Sequence, residues 1–369
     1  MNDLKNETMK KKAYLLYMAA MLGLSASAQT DTSSLKFYNE KHLKNVKQLS
    51  FGGENAEAYW SFDNKMLTFQ RRDKKKGIEC DQIFYGNVND YLKAQAKGKT
   101  ETFGKPISYN KGRTTCSYFL PGNKQILYAT TATSADTCPA EPKYKHGQYL
   151  WPLYPEFEIV IADLDGKVTK QLTKNNYYDA EAVVSPKGDK ILFTSDRSGD
   201  LELYTMNLDG SDVKQITNSL GYDGGAFFSP DGSQIIWRAS KLDTEEEKEE
   251  YKANLKNHLV SPMKMELFIA NADGSNRRQL TDLGGANWAP FFHPSGKKVI
   301  FSSNHKTKGI PFNLYMINTD GTGLEQITYD KVFDSFPMFS FDGKKLVWGS
   351  NRNNGGTRDT NIFIADWVD

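Results

Sequence analysis

A single unit recurs along this chain, and a short strand-only unit repeated six times has few ways to bury itself. The unit is an apolar strand ending in a tight Pro/Asp/Gly turn, a second strand, a third ending in Asp-Gly, and a fourth of the form basic-Gln-apolar-Thr. Its clearest copy reads Ala182-Val-Val-Ser-Pro-Lys-Gly-Asp-Lys-Ile-Leu-Phe-Thr-Ser-Asp-Arg, then Leu203-Tyr-Thr-Met-Asn-Leu-Asp-Gly, then Val213-Lys-Gln-Ile-Thr. The first turn appears six times, beginning at Ser61, Pro121, Ser185, Ser229, His293 and Ser340. Short alternating strands separated by Gly-containing turns at a recurring period are what radially arranged four-stranded blades require. The expectation is an all-β chain folded as a six-bladed β-propeller over residues 46–369.

The fourth strand reads Lys170-Gln-Leu-Thr, Lys214-Gln-Ile-Thr, Arg278-Gln-Leu-Thr and Glu325-Gln-Ile-Thr, but the sixth unit stops at Trp367-Val-Asp369 without one. Val46-Lys-Gln-Leu-Ser50 precedes the first unit and carries the same pattern. It is expected to pair with the last blade and close the ring, which removes two exposed sheet edges. Long inserts fall between second and third strands at about 133–156 and 241–264. Alternation of chain direction puts both on the face opposite the tight turns, where loops on a rigid scaffold carry function. In the second insert, Glu245 to Leu259 lacks Gly and Pro and reads as a helix capped by Asp243 or Thr244.

Residues 1–28 read as a signal peptide: Lys10 to Lys12 are basic, Ala13 to Leu24 are apolar, and Ala26-Ser27-Ala28 is an A-x-A cleavage site before Gln29. Met9 is the more natural start. The segment carries four Lys against one Asp and one Glu, so its removal takes the formal charge from +2 to 0. A neutral mature chain has no bulk-charge footprint for nucleic acid, and no later stretch is long and apolar enough to span a membrane. Only residues 29–45 then precede the ring. The expected location is the periplasm, or outside the cell. Three cysteines cannot form a paired framework; a Cys116–Cys138 bond is one possibility, with Cys80 competing for either, and three unpaired thiols the other.

The copies Ser229-Pro-Asp-Gly, Thr194-Ser-Asp-Arg, Asn207-Leu-Asp-Gly-Ser and Lys214-Gln-Ile-Thr resemble the WD-like repeats of TolB-like six-bladed propellers. The resemblance covers nearly all of residues 46–369 and implies the fold. It also implies a protein-binding role in the cell envelope, without the α/β domain that precedes the ring in TolB. The hydrolase domain that follows similar propellers in prolyl-oligopeptidase-like enzymes is not expected either, since the chain ends at blade six.

Aligned on the first turn, the inner strands place one oxygen-bearing column at Asn55, Thr114, Asp179, Asp223, Asn287 and Asp334. These side chains either cap their own connecting turns or form a ring at the channel mouth. Such a ring would bind a cation, or the amine or guanidinium of a partner, with Glu57 and Glu181 adding charge. Trp288, Phe336, Tyr178, Tyr222 and Phe333 in the same connections, and Tyr144, Tyr149, Trp151 and Tyr154 in the first insert, offer either core or a stacking surface. There is no G-x-S-x-G, no H-E-x-x-H and no Gly-rich phosphate loop. Of the five histidines only His146 and His258 share a face. The reading is a non-enzymatic scaffold for a protein or envelope component, with no catalytic residue, resident metal or cofactor expected. The alternative is a polysaccharide lyase or hydrolase using channel-mouth carboxylates and a metal.

Overall fold

The computed structural model describes residues 35–99, 102–109, 111–142, 149–309 and 311–369. The signal-peptide segment, residues 29–34 of the stretch before the ring, Tyr144 and His146 fall outside the described residues. Six four-stranded antiparallel sheets follow one another along the chain. Their innermost strands are Glu54–Trp60, Thr114–Phe119, Asp179–Val184, Asp223–Phe228, Asn287–Phe292 and Asp334–Phe339. Each packs against the next, and the sixth returns to the first, so the blades form a closed ring.

Closure comes from Leu43–Gln48, which pairs antiparallel with the third strand of blade six, Asn361–Trp367, and so becomes its outer strand. The strand begins earlier than the expected Val46 and ends at Gln48. A bulge at Asn45, with φ of 51°, realigns the register so that Leu43 already faces Trp367. The expected tail still contributes: the Leu49 N–H donates to Ile362 O at 2.8 Å, and the Ser50 hydroxyl accepts from the Ile362 N–H at 2.8 Å.

The repeat motifs explain themselves in hydrogen bonds. In the basic-Gln-apolar-Thr strands, the hydroxyls of Thr173, Thr217, Thr281 and Thr328 accept the N–H of Ile159, Leu203, Leu267 and Leu314 at 2.8–2.9 Å. Gln215, Gln279 and Gln326 donate to the carbonyl of that Thr, as Gln48 does to Ser50. In the first turns, the hydroxyls of Ser61, Ser229 and Ser340 donate to Asp63, Asp231 and Asp342 at 2.6–2.7 Å. In blade three the same bond runs from Ser185 to Asp189. Each turn therefore satisfies its own polar groups at the surface. Between sheets, Trp60, Trp237 and Trp348 are fully buried. Trp237 stacks on Phe268 and Trp348 on Phe363, and Arg277 and Arg352 lie over these pairs.

Two features are not in the repeat pattern. Blade one carries the helix Val88–Ala96 before its short outer strand Lys105–Pro106. The two inserts meet: Trp151–Pro152 pairs antiparallel with Leu259–Val260, so blades two and four are bridged above blade three. The expected helix runs Glu245–Lys256, with Thr244 as cap in a capping box with Glu247. The disulfide is a correction. Cys80 bonds Cys138, not Cys116 to Cys138, and ties the start of blade one's third strand, Ile78–Asn87, to the blade-two insert. Cys116 sits on the inner strand, facing the channel rather than that insert, and stays a free thiol.

Candidate functional site

The oxygen-bearing column does not line the channel. Its six residues open the inner strands, and all are buried within the blade joints. Asn55 donates to Gly52 O and Thr360 O, and Thr114 to Asp81 O. Asn287 donates to Met265 O and accepts from Ser303. Asp179 accepts from Arg197 and Asn175, both at 2.7 Å. Asp223 accepts from Trp237 and Ser219, and Asp334 from Arg352 at 2.8 Å. These are the bonds of turn-capping and blade-locking groups.

Two residues further along each strand the chain turns inward. Glu57, Cys116, Glu181, Gly225, Ala289 and Phe336 all have φ between 47° and 59°. Every inner strand shifts register at that point. A β-bulge re-aims a side chain, and six equivalent bulges bring this layer onto the channel axis. At Gly225 a Cβ would lie 1.6 Å from the Arg238 guanidinium, so a larger residue there would displace the guanidinium from its place beside Glu181. Below this layer come Tyr59, Tyr118, Phe227 and Phe291. Their rings touch across the channel, Tyr59 of blade one against Phe227 of blade four at 5.6 Å, and plug it.

The result is a blind cavity of about 30 Å³, enough for one or two waters. Glu57, Cys116, Glu181 and Arg238 line it together with Tyr59, Trp151, Trp288 and Phe336. Glu181 is saturated, accepting from Thr194 at 2.8 Å, Tyr222 at 2.6 Å, the Gly225 N–H at 2.8 Å, and Arg238. Burial works to raise its pKa, but Arg238 and these donors outweigh burial and hold the carboxyl below its usual range. Arg238, though desolvated, is kept charged by Glu181 and Tyr222. Its guanidinium lies 5.3 Å over Trp151 and 4.9 Å over Tyr222.

Glu57 is different. Burial pushes its pKa up to about 7, with only the Cys116 thiol hydrogen-bonded to it, and its Oε2 is buried with no partner. The same burial and the Glu57 charge push the Cys116 thiol well above its usual value, so it is not a ready nucleophile. Among the described residues no group of three His, Cys, Asp or Glu side chains is placed to hold a metal ion.

Aromatics frame the cavity from the insert side. Trp288 is buried, stacked on Phe312 at 4.3 Å and donating to Pro262 O. Trp151 packs on Trp288 at 5.3 Å, and the half-exposed Tyr149 lies over both. Tyr178 and Tyr222 are core, while Phe333 and Phe336 edge onto the mouth. Of the residues singled out in the sequence, Glu57, Cys116, Trp151, Glu181, Trp288 and Phe336 meet in this cavity. Arg238 and Tyr59 were not singled out. Arg238 sits mid-strand in blade four, where its charge among apolar neighbours was the available signal.

Residues 155–261 match the family model described as PD40, TolB beta propeller domain. The ring is a TolB-like β-propeller. A TolB from Agrobacterium tumefaciens superimposes with a TM-score of 0.55 at 17% identity, over 86% of this chain and 91% of that one. TolB from Acinetobacter baumannii gives 0.53 at 18% identity, over 76% of this chain and 56% of its own length. These likenesses establish the TolB-like fold and nothing finer. An oligogalacturonate lyase in complex with manganese aligns at a TM-score of 0.47, too low to bear on chemistry. No curated protein sequence matches the chain.

Proposed function

We propose that this TolB-like propeller is a non-enzymatic binding protein of the cell envelope whose partner seats on the insert-bearing face, over the channel mouth. The observation that carries the reading is the aromatic frame of Tyr149, Trp151, Trp288, Phe333 and Phe336 around a cavity too small to engulf a ligand. Such a surface engages a partner at its rim, with rigid aromatic anchors supplying contact area at low entropic cost. The insert-to-insert strand pair holds Trp151 in place from two blades. Work outside the cytoplasm is supported by the Cys80–Cys138 bond, which persists in oxidising compartments.

The test is affinity capture from the native envelope with the wild-type protein and with a Tyr149→Ala/Phe336→Ala variant, alongside metal analysis and a polysaccharide cleavage screen. A reproducible protein partner retained by the wild type and lost by the variant supports the scaffold. Cleavage of a polysaccharide that depends on Glu57, whose raised pKa lies in the range a general acid or base needs, would replace it with the enzyme reading.

A further inference from the structure

The charges around the cavity do not balance. Glu57 and Glu181 face one arginine, Arg238, and Glu181 occupies it. The nearby Asp81–Arg113 and Arg72–Glu141 pairs are already matched, at 2.8 Å each. Glu57 is left with one buried oxygen, Oε2, that no donor reaches. A buried acceptor without a partner is costly, and a cation that pairs it relieves that cost.

The opposite wall shows what fills such a place. There a guanidinium, that of Arg238, is held between a carboxylate, Glu181, and aromatic faces, Trp151 and Tyr222. The Glu57 side has the same ingredients, a carboxylate with Tyr59, Trp288 and Phe336 around it, but no guanidinium of its own. Aromatic faces add cation–π attraction, strongest where water is excluded. A planar guanidinium suits a carboxylate and stacks on rings, which a compact ammonium does less well.

The geometry points to the mouth of this cavity as the receiving site for a guanidinium group, the tip of an arginine side chain presented by the bound protein, with an amino nitrogen entering the space that one or two waters would fill. It rests on the binding-protein reading and names the anchor that the partner would insert. Entry follows the rim between Trp151 and Phe336, and the partner's arginine pairs Glu57 as Arg238 pairs Glu181.

The probe is butylguanidinium, titrated into the full-length protein and followed by tryptophan emission, with butylammonium and butanol in parallel. The expected result is saturable binding on the order of 1 mM, weaker for butylammonium and absent for butanol. Glu57→Gln, which keeps the side-chain volume, should weaken butylguanidinium binding about tenfold or more. Butanol giving the same response, or Glu57→Gln binding as well as wild type, overturns the proposal. If the variant loses its native unfolding transition, the wild-type selectivity for butylguanidinium over butanol decides. Because the probe needs no partner, a failure here leaves the capture experiment standing: a partner lost only in the aromatic variant keeps the scaffold and removes the arginine anchor.

Discussion

Arg352 faces three buried carboxylates, Glu40, Asp330 and Asp334, at 2.8–3.1 Å, and so ties the N-terminal segment to the joint of blades five and six. Removing the guanidinium strands those charges, so Arg352→Ala should cost about 3–5 kcal/mol, read as a lower urea midpoint with an unchanged slope. Asp179→Ala should act in kind, because Arg197 pairs it within a blade joint; an unfolding midpoint equal to wild type would return Asp179 to the candidate ligands. Asp330 is pushed up to about 7 by burial and by Asp334 against the pull of Arg352. Glu57 reaches about 7 and Glu202 about 8, burial leading in both. Each holds a proton in the folded state that the unfolded chain, titrating near 4, has already released. Their stabilisation is full below that value and is lost as pH rises through 7 and 8. Thermal unfolding should therefore shift to lower temperature from pH 6.5 to 8.5, and a flat or rising profile would contradict these assignments. At this scale the column Asn55 to Asp334 was legible by alignment, but its role was not. Capping and ligand binding use the same residue types, and only burial separates them.

The closing strand is the element on which the ring depends. Truncation through Gln48 should expose the edge of Asn361–Trp367 and the core around Trp367 and Leu43, giving soluble oligomers or aggregate on size-exclusion chromatography. A monomer with wild-type unfolding would show that closure is dispensable. The Cys80–Cys138 bond closes a sequence separation of 58 residues. Cys138→Ser should lower stability by about 2–4 kcal/mol, and Cys116, its thiol pKa raised, should react with a thiol reagent more slowly in the folded protein than after unfolding. Strand periodicity, turn chemistry and the helix Glu245–Lys256 were readable because each is fixed by local residues. The helix Val88–Ala96 and the Trp151–Val260 strand pair were not. The first interrupts a repeat, and the second joins segments whose proximity exists only once three blades have stacked. The choice of Cys80 over Cys116 as the partner of Cys138 was unreadable for the same reason: the insert's path over blade one is tertiary.

At the scale of the whole molecule, six bulges at one position turn a repeated strand into a layer of inward-facing side chains. Differences among Glu57, Cys116, Glu181, Gly225, Ala289 and Phe336 make one otherwise symmetric ring into a specific site. The fold was legible because repetition states it six times; the site was not fully legible, because Arg238 reaches it from a second strand, and Trp151, visible only as one aromatic of an insert, arrives by a path that the repeat does not describe. The two faces differ accordingly, with compact self-satisfied turns on one and the aromatic frame on the other. The most direct measurement is hydrogen–deuterium exchange on the protein with and without its captured partner. Protection at residues 149–154, 222–226, 286–289 and 333–337, with none at the turns 185–189 and 229–233, is the predicted result. Protection confined to those turns would contradict the placement of the binding face.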